Sequence, residues 1–193
     1  MTTVFIAGSI SIKHLHKKMQ DRISSVVSKN HNIVVGDADG ADTEIQKFLQ
    51  LLRAKKVTIY CTGAKPRNNL AGWNVKQIKS KAKPNTREFY TAKDIEMAKN
   101  SDFGLMIWDS KSAGTLNNMI ELLKREKSSV VFIDKEQDFF NIKDKDGLSR
   151  ILDFMEKKSR QKAEKKIRTA FNFENLEIQK KKNNKNLFFN VCL

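Results

Sequence analysis

Short apolar runs recur along this chain with amphipathic stretches between them, and that alternation restricts the fold more than any other feature. Residues 4–7, 33–35, 57–61, 103–108 and 130–133 are apolar, brief and almost free of polar interruption. Strands covered on both faces read this way, whereas a half-exposed strand alternates polar and apolar positions. Between the first two runs, Leu15, Met19, Ile23, Val26 and Val27 recur at helical spacing within residues 13–28. Ile45, Phe48, Leu49 and Leu52 mark a second helix, with Thr43 and Gln46 spaced as a capping box. Two more helical patterns, at residues 87–100 and 115–127, separate the later runs. Strands that alternate with helices pair in parallel through right-handed crossovers. The expected fold is therefore α/β, a three-layer Rossmann-like domain with a mainly parallel sheet of about five strands, over residues 1–145.

Residues 146–193 are expected to form a basic C-terminal helix and tail. Leu148, Ile151, Leu152 and Met155 fall on one stripe, and Lys157, Lys158, Arg160, Lys162, Lys165, Lys166, Arg168, Lys180, Lys181, Lys182 and Lys185 follow. Much of the formal net charge of +15 sits there, so nucleic acid is one expected partner, recruited through counterion release. A solvated helix face is the plainer account of the same charges. Leu187, Phe188, Phe189 and Val191 form an apolar patch to be covered by the same chain or by a second copy, and a homo-oligomer is expected.

No run reaches the roughly 18 apolar residues of a membrane span, and no basic leader precedes the first strand. A cytoplasmic protein without membrane contact is the expectation. Cys61 and Cys192 have neither metal-ligand spacing nor a disulfide framework, and His14 and His16, two residues apart, do not share a helix face; no role is expected for them or for His31. No metal and no cofactor are expected. The connection over residues 63–85 is long for a compact domain. It reads either as a lid or as a surface excursion pinned by Trp73, with a short helix around Val75 to Ile78.

Open parallel sheets bind ligands outside the carboxyl ends of their strands, which directs attention to three turns. Gly8 and Ser9 end the first strand and offer amide donors at a close approach. The turn GDADGAD, residues 36–42, fails the calcium-loop pattern, because counting from Asp37 puts Asp42 where glycine belongs and Phe48 where glutamate belongs. Three carboxylates would also repel a phosphate. Gly36 frees the backbone there, Asp39 and Asp42 accept hydrogen bonds from hydroxyl or amino donors, or Asp42 simply caps the following helix. The third turn, residues 109–118, carries Asp109, Lys111, Gly114, Thr115 and Asn118, and its Gly114 and Thr115 open a helix whose positive end suits an anion.

The order of these motifs resembles the SLOG superfamily. A first strand ending in Gly8 and Ser9 and a second leading into Gly36, Gly40, Ala41 and Asp42 carry the likeness, with Ser101 and Asp102 before the fourth strand and Gly114 with Thr115 at a helix start. That group includes the cytokinin-activating phosphoribohydrolases and the DNA-processing protein A fold, and nucleoside deoxyribosyltransferases are a related Rossmann-like group. The resemblance spans residues 3–134 and implies binding of a nucleotide or nucleotide-derived small molecule, by a sensor or sequestering protein.

The departures from the family bear on catalysis. Asn118 stands where phosphoribohydrolases and deoxyribosyltransferases place a catalytic Glu, and Lys93 stands where the former place an Arg. Asp94 matches the helix Asp of the deoxyribosyltransferases. An amide is neither a nucleophile nor a base near neutral pH. Glu121, one turn beyond Asn118 on the same helix face, is a replacement carboxylate, about 5 Å away on helical geometry. The alternative functions are therefore a nucleotide N-glycosidic bond hydrolase or deoxyribosyltransferase using Asp94 or Glu121, and a nucleic-acid-binding protein.

Overall fold

A computed structural model describes residues 1–167. The lysines at 180–182 and 185, the apolar patch at 187–191 and Cys192 lie outside the described residues. Seven strands form one sheet: β1 (Thr3–Gly8), β2 (Asn32–Gly36), β3 (Val57–Thr62), β4 (Asn74–Ile78), β5 (Phe103–Trp108), β6 (Ser129–Ile133) and β7 (Asp138–Ile142). Their order is β4-β3-β2-β1-β5-β6-β7, parallel throughout except for β7, which returns antiparallel to β6. The helices are α1 (Lys17–Ser28), α2 (Ala41–Leu51), α3 (Arg87–Lys99), α4 (Ala113–Leu123), α5 (Lys145–Leu152) and α6 (Lys157–Ile167).

The continuous apolar runs have the cause inferred from the sequence, since neighbouring side chains along each central strand enter opposite cores. Val4 and Ile6 join Met19 and Ile23 of α1 and Ile45 and Leu49 of α2. Phe5 and Ala7 join Met97 of α3, Leu116 and Ile120 of α4, and Leu148 and Ile151 of α5. Three layers result. Packing continues past residue 145, because Leu152, Met155 and Ala163 belong to the second of these cores. Among the described residues, no helix is long and apolar enough to cross a membrane.

Two strands exceed the expected five. Residues 75–78, expected as a short helix, lie within β4, which pairs in parallel with β3 from Thr58 opposite Asn74 to Thr62 opposite Ile78. Asn74, Val75, Lys76 and Gln77 are all exposed, so this edge strand lacks the apolar signature of a covered one. β7 is the opposite edge strand, exposed or half-exposed except at Ile142, so it too lacks the continuous apolar run of a covered strand. The helix starts also shift. Thr43 does not cap α2; its hydroxyl donates to the Ala38 carbonyl at 3.0 Å, and Gly40 occupies the cap position without a side-chain bond. His16 caps α1, its Nδ1 accepting from the Lys18 amide at 3.2 Å.

The sheet order reverses direction of travel at one place. From β1 the chain winds outward through β2, β3 and β4, then returns to lay β5 on the other side of β1. Crossovers on either side of that point pass over opposite faces and leave a cleft beyond the strand tips. The turns after β1, β2 and β5 meet there.

Candidate functional site

Ser9 links the three turns. Its amide donates to the Ile107 carbonyl at 2.9 Å, and its own carbonyl accepts from Ala41 at the start of α2 at 3.3 Å. Its hydroxyl accepts from the Asp109 amide at 3.1 Å and lies 3.2 Å from the Thr115 hydroxyl. Around it opens a crevice of ≈ 550 Å³ lined by Gly8, Ser9, Ala38, Asp42, Lys93, Asp94, Lys111, Gly114, Thr115 and Asn118, together with Arg87 and, from α6, Ser159 and Lys162. The first turn of α4 projects its unpaired amides at this space, and the helix dipole makes that end favourable to an anion.

Asn118 sits one turn into α4. Its side chain is 6% exposed, and its Oδ1 has no hydrogen-bond partner among the described residues. An unmet buried acceptor costs about 1 to 3 kcal/mol.

The acidic turn divides in two. Asp37, which is 1% exposed, receives the Arg67 amide at 3.0 Å and Arg67 Nη2 at 2.8 Å. Burial opposes its ionisation, but the Arg67 bonds and the Lys93 charge outweigh it and hold the carboxyl below its usual range. Arg67 in turn lies over the Tyr90 ring, 4.5 Å from its centroid. Asp42 is the acid that enters the crevice. Burial pushes its pKa up to about 6 against the opposing charge of Lys93.

Lys93 of α3 is buried between these acids, its Nζ 2.7 Å from Asp94 and 3.9 Å from Asp37. Burial disfavours its charge, yet Asp94, Asp42 and Asp37 together raise its pKa, so it stays an ammonium. Gly36 makes room for this arrangement: a Cβ there would lie 2.3 Å from Asp42 Oδ2 and 2.7 Å from Lys93 Nζ.

Other residues expected in the site take supporting positions. Gly36 does not line the crevice but backs the ion cluster. Asp39 is exposed and accepts from Asn68 Nδ2 at 3.1 Å. Asp109 accepts from the Lys111 and Ser112 amides and from the Ser11 hydroxyl, which fixes the turn before α4; burial works against its ionisation, and these bonds nevertheless hold its pKa low. Glu121 lies away from the crevice, engaged by Lys124 at 3.0 Å and Arg125 at 2.6 Å. Asp94 is in the crevice, already paired with Lys93.

Residues 63–85 contribute nothing to the crevice lining. They are fastened to α2 and its surroundings instead: the Leu70 amide donates to Gln46 Oε1 at 3.1 Å, and Trp73 Nε1 to the Ala54 carbonyl at 2.8 Å. Cys61 is buried and free. Among the described residues, no three His, Cys, Asp or Glu side chains are grouped to hold a metal ion.

Sequence reasoning singled out Lys93 only as the residue at the family's Arg position and did not place Arg87, Ser159 or Lys162 in the lining. For Lys93 a signal existed, because it precedes buried Met97 by four residues and so occupies the inward stripe of α3. For Lys162 there was none, since only the fold brings α6 to the strand tips.

Asp42 makes stability pH-dependent in a definite sense. Its folded pKa of about 6 exceeds the ordinary 3.8, so between those values the folded chain holds a proton that the unfolded chain has released. Stability from this group is full below pH 3.8 and is lost as pH rises through 6. Asp42→Asn removes the dependence. The variant's stability relative to the parent should rise by about 3 kcal/mol between pH 3.5 and pH 8, read from urea melts at each pH; a flat difference would contradict the assignment.

No protein-family model matches the chain, and no curated protein matches it. Among solved structures, DNA processing protein A from Helicobacter pylori, described for its single-stranded DNA binding mode, has a similar fold. The TM-score is 0.52 and the identity 14%, over 88% of this chain and 82% of that one. A likeness at that identity establishes a shared Rossmann-like architecture.

Proposed function

We propose that this chain binds a nucleotide or nucleotide-derived small molecule in the crevice beyond β1 and β5, as a sensor or sequestering protein. The observation that carries the reading is the meeting of Ser9, Thr115 and the unpartnered Asn118 at the start of α4, at the point where the sheet order reverses. Phosphate sits against the amides of Gly114 and Thr115. Asn118 lines the wall beside it and can meet a sugar or base hydroxyl once its amide turns outward, and the Lys93 ammonium closes the floor. The two carboxylates weighed for glycosidic cleavage are engaged, Asp94 by Lys93 and Glu121 by Arg125, which favours binding over cleavage by either of them.

A second reading, single-stranded nucleic-acid binding, rests on a different surface. Between Thr62 and Glu88 the chain carries Lys65, Arg67, Lys76, Lys79, Lys81, Lys83 and Arg87 and no acid. Several of these flank the exposed edge strand β4, and the structurally similar DNA processing protein A is described as binding single-stranded DNA.

One set of titrations separates the readings. AMP at about a hundred times its Kd should raise stability by about 2.7 kcal/mol, with no free base in the mixture by chromatography. Thr115→Val should weaken AMP and leave oligo-dT unaffected. Salt-dependent oligo-dT binding that Lys76→Glu with Lys79→Glu abolishes, together with no response to AMP, would replace the first reading by the second.

A further inference from the structure

We propose that the crevice is built for a diphosphate or longer phosphate chain, with α6 supplying the cation that a monophosphate does not need. The inference rests on the nucleotide reading above and specifies its ligand class.

Ser159, Lys162 and Ala163 of α6 stand at i, i+3 and i+4, hence on one helix face. Ala163 is 1% exposed and packs into the core shared with α4, which fixes that face against the body of the domain. Ser159 and Lys162 line the crevice beside it. A surface helix that placed Lys162 there only for solubility would have no reason to orient it at a cleft.

The charges of the crevice then sort by depth. Asp94 is neutralised by Lys93 at 2.7 Å and Asp42 is 5% exposed, so both acids are committed to the floor. Lys111, in the turn before α4, and Lys162, on α6, are exposed at the rim on separate elements. Lys162 makes no ion pair with the described residues. Lys111 has Glu156 at 4.0 Å, with both side chains largely in water, a contact worth little and readily exchanged for phosphate.

One phosphoryl group at the first turn of α4 is served by the helix amides and the Thr115 hydroxyl. Two further cations from different walls match the extra charge of a second phosphoryl group extending outward between them. At ≈ 550 Å³ the crevice has the volume of a whole small-molecule site rather than of a single anion.

The test compares AMP with ADP, and inorganic phosphate with pyrophosphate, by calorimetric titration of the full chain. ADP and pyrophosphate should bind about tenfold tighter than AMP and phosphate, the return on one additional charge-assisted contact. Lys162→Gln, at an exposed position, should weaken ADP and pyrophosphate more than AMP and phosphate and so remove most of that advantage; Lys111→Gln should act in the same direction. AMP binding with no gain for ADP, or a gain that survives both substitutions, overturns the inference and leaves the nucleotide reading intact. Failure of all four compounds overturns both.

Discussion

Replacing Lys93 by Met is expected to lower stability by about 3 to 5 kcal/mol at pH 8, the loss typical when one partner of a buried ion cluster is removed. Met matches the length of the lysine stem, so the change isolates the charge. Without the ammonium, Asp94 loses its partner at 2.7 Å and Asp42 its compensating charge, while Asp37 keeps Arg67. Buried Asp42 and partly exposed Asp94 then adjoin without a counterion. For a domain of this size the corresponding fall in Tm is roughly 10 °C. At pH 5 Asp42 carries a proton and the penalty should shrink. Adding Asp94→Asn should return part of the lost stability, which simple loss of packing would not allow. Melting curves of the single and double variants at the two pH values decide the matter; an unchanged Tm at pH 8 would mean that the cluster is not a structural unit.

Gly40→Ala should be comparably damaging for a purely geometric reason. Gly40 adopts φ +76°, and a Cβ there would lie 2.2 Å from the Ile10 carbonyl oxygen and 2.5 Å from its carbonyl carbon. Neighbouring side-chain ends can swing aside, but backbone cannot. Left-handed strain and overpacking each cost about 1 to 3 kcal/mol, and the methyl group incurs both. The damage falls where the turn after β1 meets the start of α2, so weakened ligand binding should accompany a reduced urea midpoint. Gly114→Ala is the matched control for stability, because a Cβ at Gly114 meets no protein atom within 4 Å. Equal behaviour of the two variants would refute the steric account.

The strands covered on both faces were legible because burial forces an unbroken apolar run, and their alternation with helices fixed the parallel pairing. β4 was not legible. Its residues Asn74, Val75, Lys76 and Gln77 face solvent at an edge, where hydrogen bonding to β3 rather than hydrophobicity defines the strand. At the site, Ser9, Gly114 and Thr115 could be read locally, since strand end and helix start are local facts. The ion cluster could not, because its members come from the turn after β2, from α2, from α3 and from the segment after β3, and nothing in local spacing records their approach. The acidic turn shows the limit within a single motif. Asp37 and Asp39 look equivalent in sequence, yet one is buried against Arg67 and the other reaches water and Asn68.

Ser9 has a mechanical consequence. Because one residue bonds at once to β5, to the first residue of α2, to the amide of Asp109 and to Thr115, the three loops around the cleft are riveted at a common point. Tension applied by a guest at any one of them is transmitted to the other two, so the rim yields as a single rigid collar rather than as independent flaps.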